Sequence, residues 1–108
     1  MLPHFAEDAV FTSPVAQHVG FAPEGVVRGK DALRRYWLVA LENNPDLKFH
    51  VTAVYCGIDT IVIAFQNQRG VDRTEVLRFA DGLVVEGHGT FIVPRTDPHR
   101  HTTFGPPA

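Results

Sequence analysis

The clearest pattern of apolar and polar positions is an amphipathic stretch at residues 30–43, KDALRRYWLVALEN. Its apolar side chains recur at the spacing of one helical face, whereas its arginines and glutamate point elsewhere. Asp31 places an acid in the first turn, where the helix dipole favours it. Asn43, Asn44 and Pro45 end the pattern. We therefore predict one main helix that buries a single face.

Strand patterns surround this helix. Apolar and polar residues alternate weakly at 8–13, which predicts a short first strand. Residues 14–25 have the glycines and prolines of a loop, and residues 26–27 predict a brief second strand. Short connections, with a hairpin signal at Asp81-Gly82, separate four later strands and indicate an antiparallel meander. These strands are predicted at residues 48–56, 60–68, 73–80 and 83–93. The order predicts an α+β fold, a curved antiparallel sheet wrapped around one main helix.

Length and composition limit the class of protein. A chain of 108 residues has room for one domain, which we expect at residues 1–93, followed by a loose, Pro-rich tail at 94–108. The net charge of −2 and the scattered basic residues argue against nucleic acid as a partner. No apolar run reaches the roughly 18 residues of a membrane span. The single cysteine, Cys56, cannot form an internal disulfide, which is typical of the cytoplasm.

One strand is apolar on both of its faces. Residues 61–65, IVIAF, do not alternate as a strand with one face in water would. The predicted helix covers only one face of the sheet. We therefore expect a homodimer in which the convex faces of two sheets pack together.

Three segments, in this order along the chain, resemble a known superfamily. They are FAEDAVFTSPV, VVRGKDALRRYW and EVLRFADGLVVEGHGTF. Their order and spacing resemble the nuclear-transport-factor-2-like superfamily, and within it the SnoaL-like branch of polyketide cyclases and related ketosteroid isomerases. The resemblance spans residues 4–93 and implies a cone-shaped fold with a pocket for a small organic molecule. Members usually begin with a long helix that closes the cone. Here that helix is expected to be lost, or its place taken by the tail or a partner subunit.

The resemblance to ketosteroid isomerases implies roles for particular residues. Their general base is an aspartate before a proline at the end of the first strand, and Ser13 holds that position here. A serine cannot abstract a proton without a base of its own. Their oxyanion-stabilising acid matches Glu75, and their pocket tyrosine matches Trp37. The resemblance thus implies Glu75 as proton donor or acceptor, aided by Ser13.

Strand alternation supports the placement of Glu75 independently. Glu75 shares a strand face with Leu77 and Phe79. If that face is concave, the carboxylate loses its hydration, which is costly unless it is paired. We then expect a raised pKa or a partner such as Arg73. The alternative is a glutamate that reaches solvent or forms a structural ion pair.

Other residues are expected to line the pocket or its rim. Gly87 and Gly89 remove side chains from one strand face, which suits a pocket floor, while His88 points to the convex side. His18 is expected at the rim, or as an exposed loop histidine. Tyr36 and Trp37 face inward as pocket wall or as core aromatics. The expected ligand-binding set is Val10, Thr12, Leu33, Tyr36, Trp37, Leu77, Phe79, Gly87, Phe91 and His18.

Motifs for other chemistries are absent from the sequence. There is no nucleophile elbow, phosphate-binding loop or dinucleotide fingerprint, and His99 and His101 have no third metal ligand at a suitable spacing. We expect neither a cofactor nor a metal. The predicted function is binding of a flat, hydrophobic molecule with a polar group, and, if the protein is an enzyme, isomerase, cyclase or dehydratase chemistry. Two alternatives remain: a non-catalytic interaction or dimerisation module, and a degenerate member without an active pocket.

Overall fold

The fold is a curved six-stranded sheet with its main helix on the concave side. A computed structural model describes residues 2–93. The strands are β1 (Phe5–Thr12), β2 (Val26–Arg28), β3 (His50–Cys56), β4 (Thr60–Gln66), β5 (Asp72–Ala80) and β6 (Leu83–Gly89). The helices are a 3-10 turn at Leu2–His4, α1 (Pro14–His18) and α2 (Lys30–Asn43). No helix in this part of the chain is long and apolar enough to cross a membrane.

The sheet order is β2-β1-β6-β5-β4-β3. Strands β3 to β6 form the antiparallel meander that the short connections predict. Strand β1 joins it by pairing parallel with β6, and β2 continues the sheet antiparallel to β1. The predicted α+β architecture is confirmed, with one parallel pair where the first strand enters the sheet.

The main helix begins and ends at the predicted residues, but the predicted loop after β1 is wrong in its first part. Residues Pro14–His18 form the short helix α1 instead. Ser13 is its N-cap and accepts a hydrogen bond from the backbone N–H of Val15 at 3.2 Å. Pro14 occupies the first turn, where its missing N–H has no cost. One helical turn and a half is too short to show a periodicity.

The hydrophobic core lies under one half of the sheet. Helix α2 packs against β1 and β2, and Leu33, Val27 and Val84 are almost completely removed from solvent. Burying a side chain of this kind contributes roughly 1.5–3 kcal/mol. The other half of the sheet extends beyond the helix, and the apolar side chain of Val54, on the concave face of β3, is exposed. This uncovered concave half leaves room for a cavity.

Strand pairing decides which residues face the helix. Leu77 lies opposite Gly87 on β6, and Gly87 lies opposite Phe11 on β1, so these positions share the concave face. One position along, Thr12 and His88 pair on the convex face. Because successive side chains of a strand point to opposite sides, this register fixes which face the neighbouring residues of these strands occupy.

Candidate functional site

A cavity of about 430 Å³ lies between the helices and the concave side of the sheet. Its volume is within the usual range for sites that bind small molecules. Apolar side chains, among them Phe11, Trp37 and Phe65, form much of its wall. The ionisable side chains of the lining are His18, Tyr36, Arg69, Arg73 and Glu75.

Among the described residues 2–93, Glu75 contributes the one carboxyl group of this lining. Strand β5 directs it inward, two positions before the core residue Leu77. Burial raises the pKa of Glu75, and the charge of Arg73 opposes that rise only in part. Within residues 2–93, no basic side chain lies within 4.0 Å of this carboxyl group. The structure therefore places Glu75 in the cavity, neither in bulk water nor in a structural ion pair.

A pair of hydroxyl groups forms another polar feature of the wall. The hydroxyl oxygens of Ser13 and Tyr36 lie 2.9 Å apart in a buried hydrogen bond. Ser13 is only 5% exposed, and its Oγ also accepts from the N–H of Val15. Burial raises the pKa of Tyr36, although the bond to Ser13 and the charge of Arg73 lower it somewhat. The phenol is thus kept neutral and able to donate a hydrogen bond.

Arg73 brings a positive charge into the same cavity. It precedes Glu75 by two positions on β5, and its Nε donates to the backbone carbonyl of Thr90 at 2.9 Å. Burial lowers the pKa of Arg73 because the guanidinium loses part of its hydration. The alternation that places Glu75 inward also places Arg73 inward, so this signal was present in the sequence. From the sequence, Arg73 was expected only as a partner for Glu75.

Comparisons with known proteins identify the family to which this fold belongs. A family model described as SnoaL-like domain matches residues 1–87. The chain belongs to the SnoaL-like family. A SnoaL-like protein of unknown function from Burkholderia thailandensis is 31% identical, with 85% of this chain and 78% of that chain covered and a TM-score of 0.76.

More distant structures share the SnoaL-like fold alone. A candidate polyketide cyclase from Sinorhizobium meliloti is 16% identical, covering 82% of this chain and 77% of that chain, with a TM-score of 0.68. The protein TerC, co-crystallised with polyporic acid, is 13% identical, covering 84% of this chain and 75% of that chain, with a TM-score of 0.70. No curated protein matches the sequence significantly.

Several residues expected at the pocket of this SnoaL-like chain do lie around the cavity. They are Ser13, His18, Tyr36, Trp37 and Glu75. Trp37 is half-buried and packs edge-to-face on Phe5, with ring centroids 5.7 Å apart. It therefore belongs to both core and wall. The resemblance had matched Trp37 to the pocket tyrosine of the isomerases. In the structure, the tyrosine whose hydroxyl group bonds Ser13 is Tyr36, one position earlier.

Val10 and Thr12 were expected on the concave face, but they lie on the convex face. Their neighbours Phe11 and Ser13 line the cavity instead. Thr12 pairs with His88, and its Oγ1 lies 2.6 Å from Nδ1 of that histidine. The expected alternation along β1 was displaced by one residue, and such a slip exchanges the two faces of a strand.

Other expected pocket residues belong to the core or lie away from the cavity. Leu33 and Leu77 are buried in the core, and Phe79 packs against it. Gly87 is covered by the ring of Phe11, so its missing side chain makes room for that ring and none for a ligand. Phe91, beyond the end of β6, is not part of the lining.

The far wall of the cavity was not predicted. Phe49 and Phe65 pack edge-to-face there, with ring centroids 5.0 Å apart. Gln68 lies nearby in the β4–β5 turn, and its Oε1 is buried without a hydrogen-bond partner within residues 2–93. A buried acceptor of this kind costs free energy unless a donor reaches it. Only the folding of the sheet brings these positions next to α2.

Metal ligation has no cluster to support it in the described region. Residues 2–93 contain no group of three or more His, Cys, Asp or Glu side chains placed to hold a metal ion. His99 and His101, and the whole predicted tail at 94–108, lie outside the described residues.

Proposed function

We propose that the protein binds a small, largely apolar molecule in the cavity and acts on it by acid–base chemistry through Glu75. The observation that carries this proposal is the position of the Glu75 carboxyl group, which lines the cavity, has a raised pKa and forms no ion pair within residues 2–93. An acid or base works best when its pKa approaches the operating pH. Burial moves Glu75 in that direction.

The roles of the neighbouring groups follow from their hydrogen bonds. Tyr36 and Ser13 form a hydroxyl pair that can donate to a ligand oxygen. Within residues 2–93, no imidazole or carboxylate is bonded to Ser13, so its role is to position the Tyr36 hydroxyl. In the proposed reaction, Glu75 moves a proton of the ligand while the Tyr36 hydroxyl holds a nearby ligand oxygen. Proton transfer beside a stabilised oxygen is the common step of isomerases, cyclases and dehydratases that use no cofactor.

The relatives give this proposal general support. A candidate polyketide cyclase shares the fold, and a protein of the same fold was crystallised with polyporic acid. A cavity of about 430 Å³ is large enough for a compact ring system. We therefore favour small-molecule chemistry over a purely structural or interaction module.

Proton exchange provides a direct test with a defined probe. The flat, enolisable ketone 2-tetralone is incubated with the protein in D₂O, and loss of its α-proton signals is followed by NMR. We expect α-proton exchange to be faster with the wild-type protein than in buffer alone. In Glu75→Gln this acceleration should be smaller by a factor of at least about 100. Glu24→Gln, which removes an exposed carboxylate, is the matched control and should exchange at the wild-type rate.

Two results would count against the proposal in different ways. Equal acceleration by the wild-type and Glu75→Gln proteins would remove Glu75 from the chemistry. Trp37 is the single tryptophan, so its indole N–H gives one assignable NMR signal at the cavity wall. If 2-tetralone left this signal unmoved at all concentrations, the cavity would not be its binding site.

We further propose that two copies pair through the convex faces of their sheets in the cytoplasm. On this face Tyr55, Val62 and Val76 form a continuous row across β3, β4 and β5, and Tyr55 is 62% exposed. Light scattering after gel filtration should give a dimer for the wild-type protein and a monomer for Tyr55→Lys. Leu38→Lys, on the exposed side of α2, should remain dimeric. A monomeric wild-type protein would refute this pairing.

A further inference from the structure

We infer that the cavity selects an apolar ligand that carries a carboxylate, and that the guanidinium of Arg73 binds this group. The inference rests on the proposed function, because it requires a small molecule in the cavity. Beyond that function, the ligand is specified as an anion, and Arg73 as the residue that recognises its charge.

Arg73 is held in place yet keeps donors available. Its Nε donates to the carbonyl oxygen of Thr90 at 2.9 Å, which fixes the plane of the guanidinium near the end of β6. Within residues 2–93, its terminal nitrogens make no hydrogen bond, and no carboxylate lies within 4.0 Å of them. Two parallel N–H donors of a guanidinium match the two oxygens of a carboxylate.

The charges around the cavity favour an anion. Within the part of the chain that the structure describes, Arg73 and Arg69 contribute two positive charges to the lining, whereas Glu75 is its one acidic side chain. Burial raises the pKa of Glu75, which favours its neutral form. His18, at the exposed rim, adds no negative charge. A half-buried guanidinium whose terminal nitrogens have no acceptor within residues 2–93 loses hydration at a cost in free energy, and a bound carboxylate supplies those acceptors.

The remaining wall describes the rest of the ligand. Phe11, Trp37 and Phe65 present aromatic surfaces to the cavity, and the hydroxyl group of Tyr36 lies among them. Aromatic walls suit a flat ring system. The ligand class is therefore an aromatic or polycyclic acid with its carboxylate at Arg73.

A matched pair of probes tests this inference. The anion 2-naphthoate and its neutral analogue 2-naphthamide have the same ring and nearly the same shape, and both are titrated against the Trp37 indole NMR signal at pH 7. We expect the Kd of naphthoate to be at least about tenfold lower than that of naphthamide, equivalent to about 1.4 kcal/mol. Arg73→Met should abolish this preference, and Arg73→Lys should keep part of it. Arg35→Met, at an exposed position of α2, should behave as wild type.

Each other outcome has a definite meaning. If the wild-type protein binds naphthamide as tightly as naphthoate, the inference fails while the proposed function stands. If a folded Arg73→Met variant still prefers naphthoate, or if Arg73→Lys prefers it as strongly as wild type does, Arg73 is not the recognition group. If neither probe moves the Trp37 signal, the inference fails, and the 2-tetralone experiment decides the proposed function separately.

Discussion

The hydroxyl groups of Ser13 and Tyr36 lie 2.9 Å apart and join the end of β1 to the inner face of α2. Ser13 also caps α1 through the N–H of Val15. A single small side chain therefore connects a strand, a short helix and the main helix at the wall of the cavity. Removal of this side chain should affect both stability and the position of Tyr36.

A double-mutant cycle measures this connection. Ser13→Ala removes the N-cap and the partner of Tyr36, and should lower the free energy of unfolding by about 1–2 kcal/mol. Tyr36→Phe should cost about 1 kcal/mol. The double variant should lose less unfolding free energy than the sum of the two single losses, by roughly 0.5–1.5 kcal/mol, as measured by urea unfolding. Strict additivity would show that the hydrogen bond contributes nothing in solution.

The ionisation of Tyr36 should occur at an unusually high pH. The chain has two tyrosines, so in a Tyr55→Phe background the ultraviolet absorbance of phenolate reports on Tyr36 alone. Burial disfavours the charged phenolate and raises the pKa of Tyr36 above its ordinary value of 10.0. Half-ionisation at or below pH 10.0 in the folded protein would contradict the buried position of this hydroxyl group.

Glu75 should make stability depend on pH in a defined direction. Its pKa is raised above 4.5 in the folded protein because burial penalises the charged form. The folded state then holds this proton more tightly than the unfolded state. Its contribution to stability is fully present below pH 4.5 and is lost as the pH rises through the folded-state pKa.

Glu75→Gln should therefore gain stability relative to wild type as the pH rises from 4 to 8, as measured by urea unfolding at several pH values. Glu24→Gln removes an exposed carboxylate, and its effect should stay within about 0.5 kcal/mol. A Glu75→Gln difference that is flat with pH, or falls as pH rises, would mean that the carboxylate is hydrated in the folded protein.

Two glycines of β6 should respond differently to the same substitution. A Cβ at Gly87 would lie 2.7 Å from Cδ2 of Phe11 and 3.1 Å from Cδ2 of Leu77, both buried side chains. Gly87→Ala should thus destabilise the protein by roughly 1–3 kcal/mol. A Cβ at Gly89 would lie 3.6 Å from Oγ of Ser13, which is an ordinary van der Waals contact. Gly89→Ala should change the unfolding free energy by less than about 1 kcal/mol, and equal effects would contradict the packing of Phe11.

Much of the fold could be predicted because its signals are local. The spacing of Leu33, Tyr36 and Ala40 follows the helical period, and these are the buried residues of α2. Glu75 could be placed on the inner face because Leu77, two positions along, is apolar and buried. The short helix α1 escaped prediction because its cap, Ser13, begins too brief an element to repeat.

The sequence by itself determined the α+β class, the bounds of α2, the antiparallel meander and the inward direction of Glu75, because periodicity depends only on neighbouring residues. Tertiary structure alone decided which face of β1 meets the cavity, because the pairing of Thr12 with His88 fixes that phase. It also decided that Phe49 and Phe65 form the far wall of the cavity. These relationships join residues far apart in the chain, and only the closing of the curved sheet over α2 brings them together.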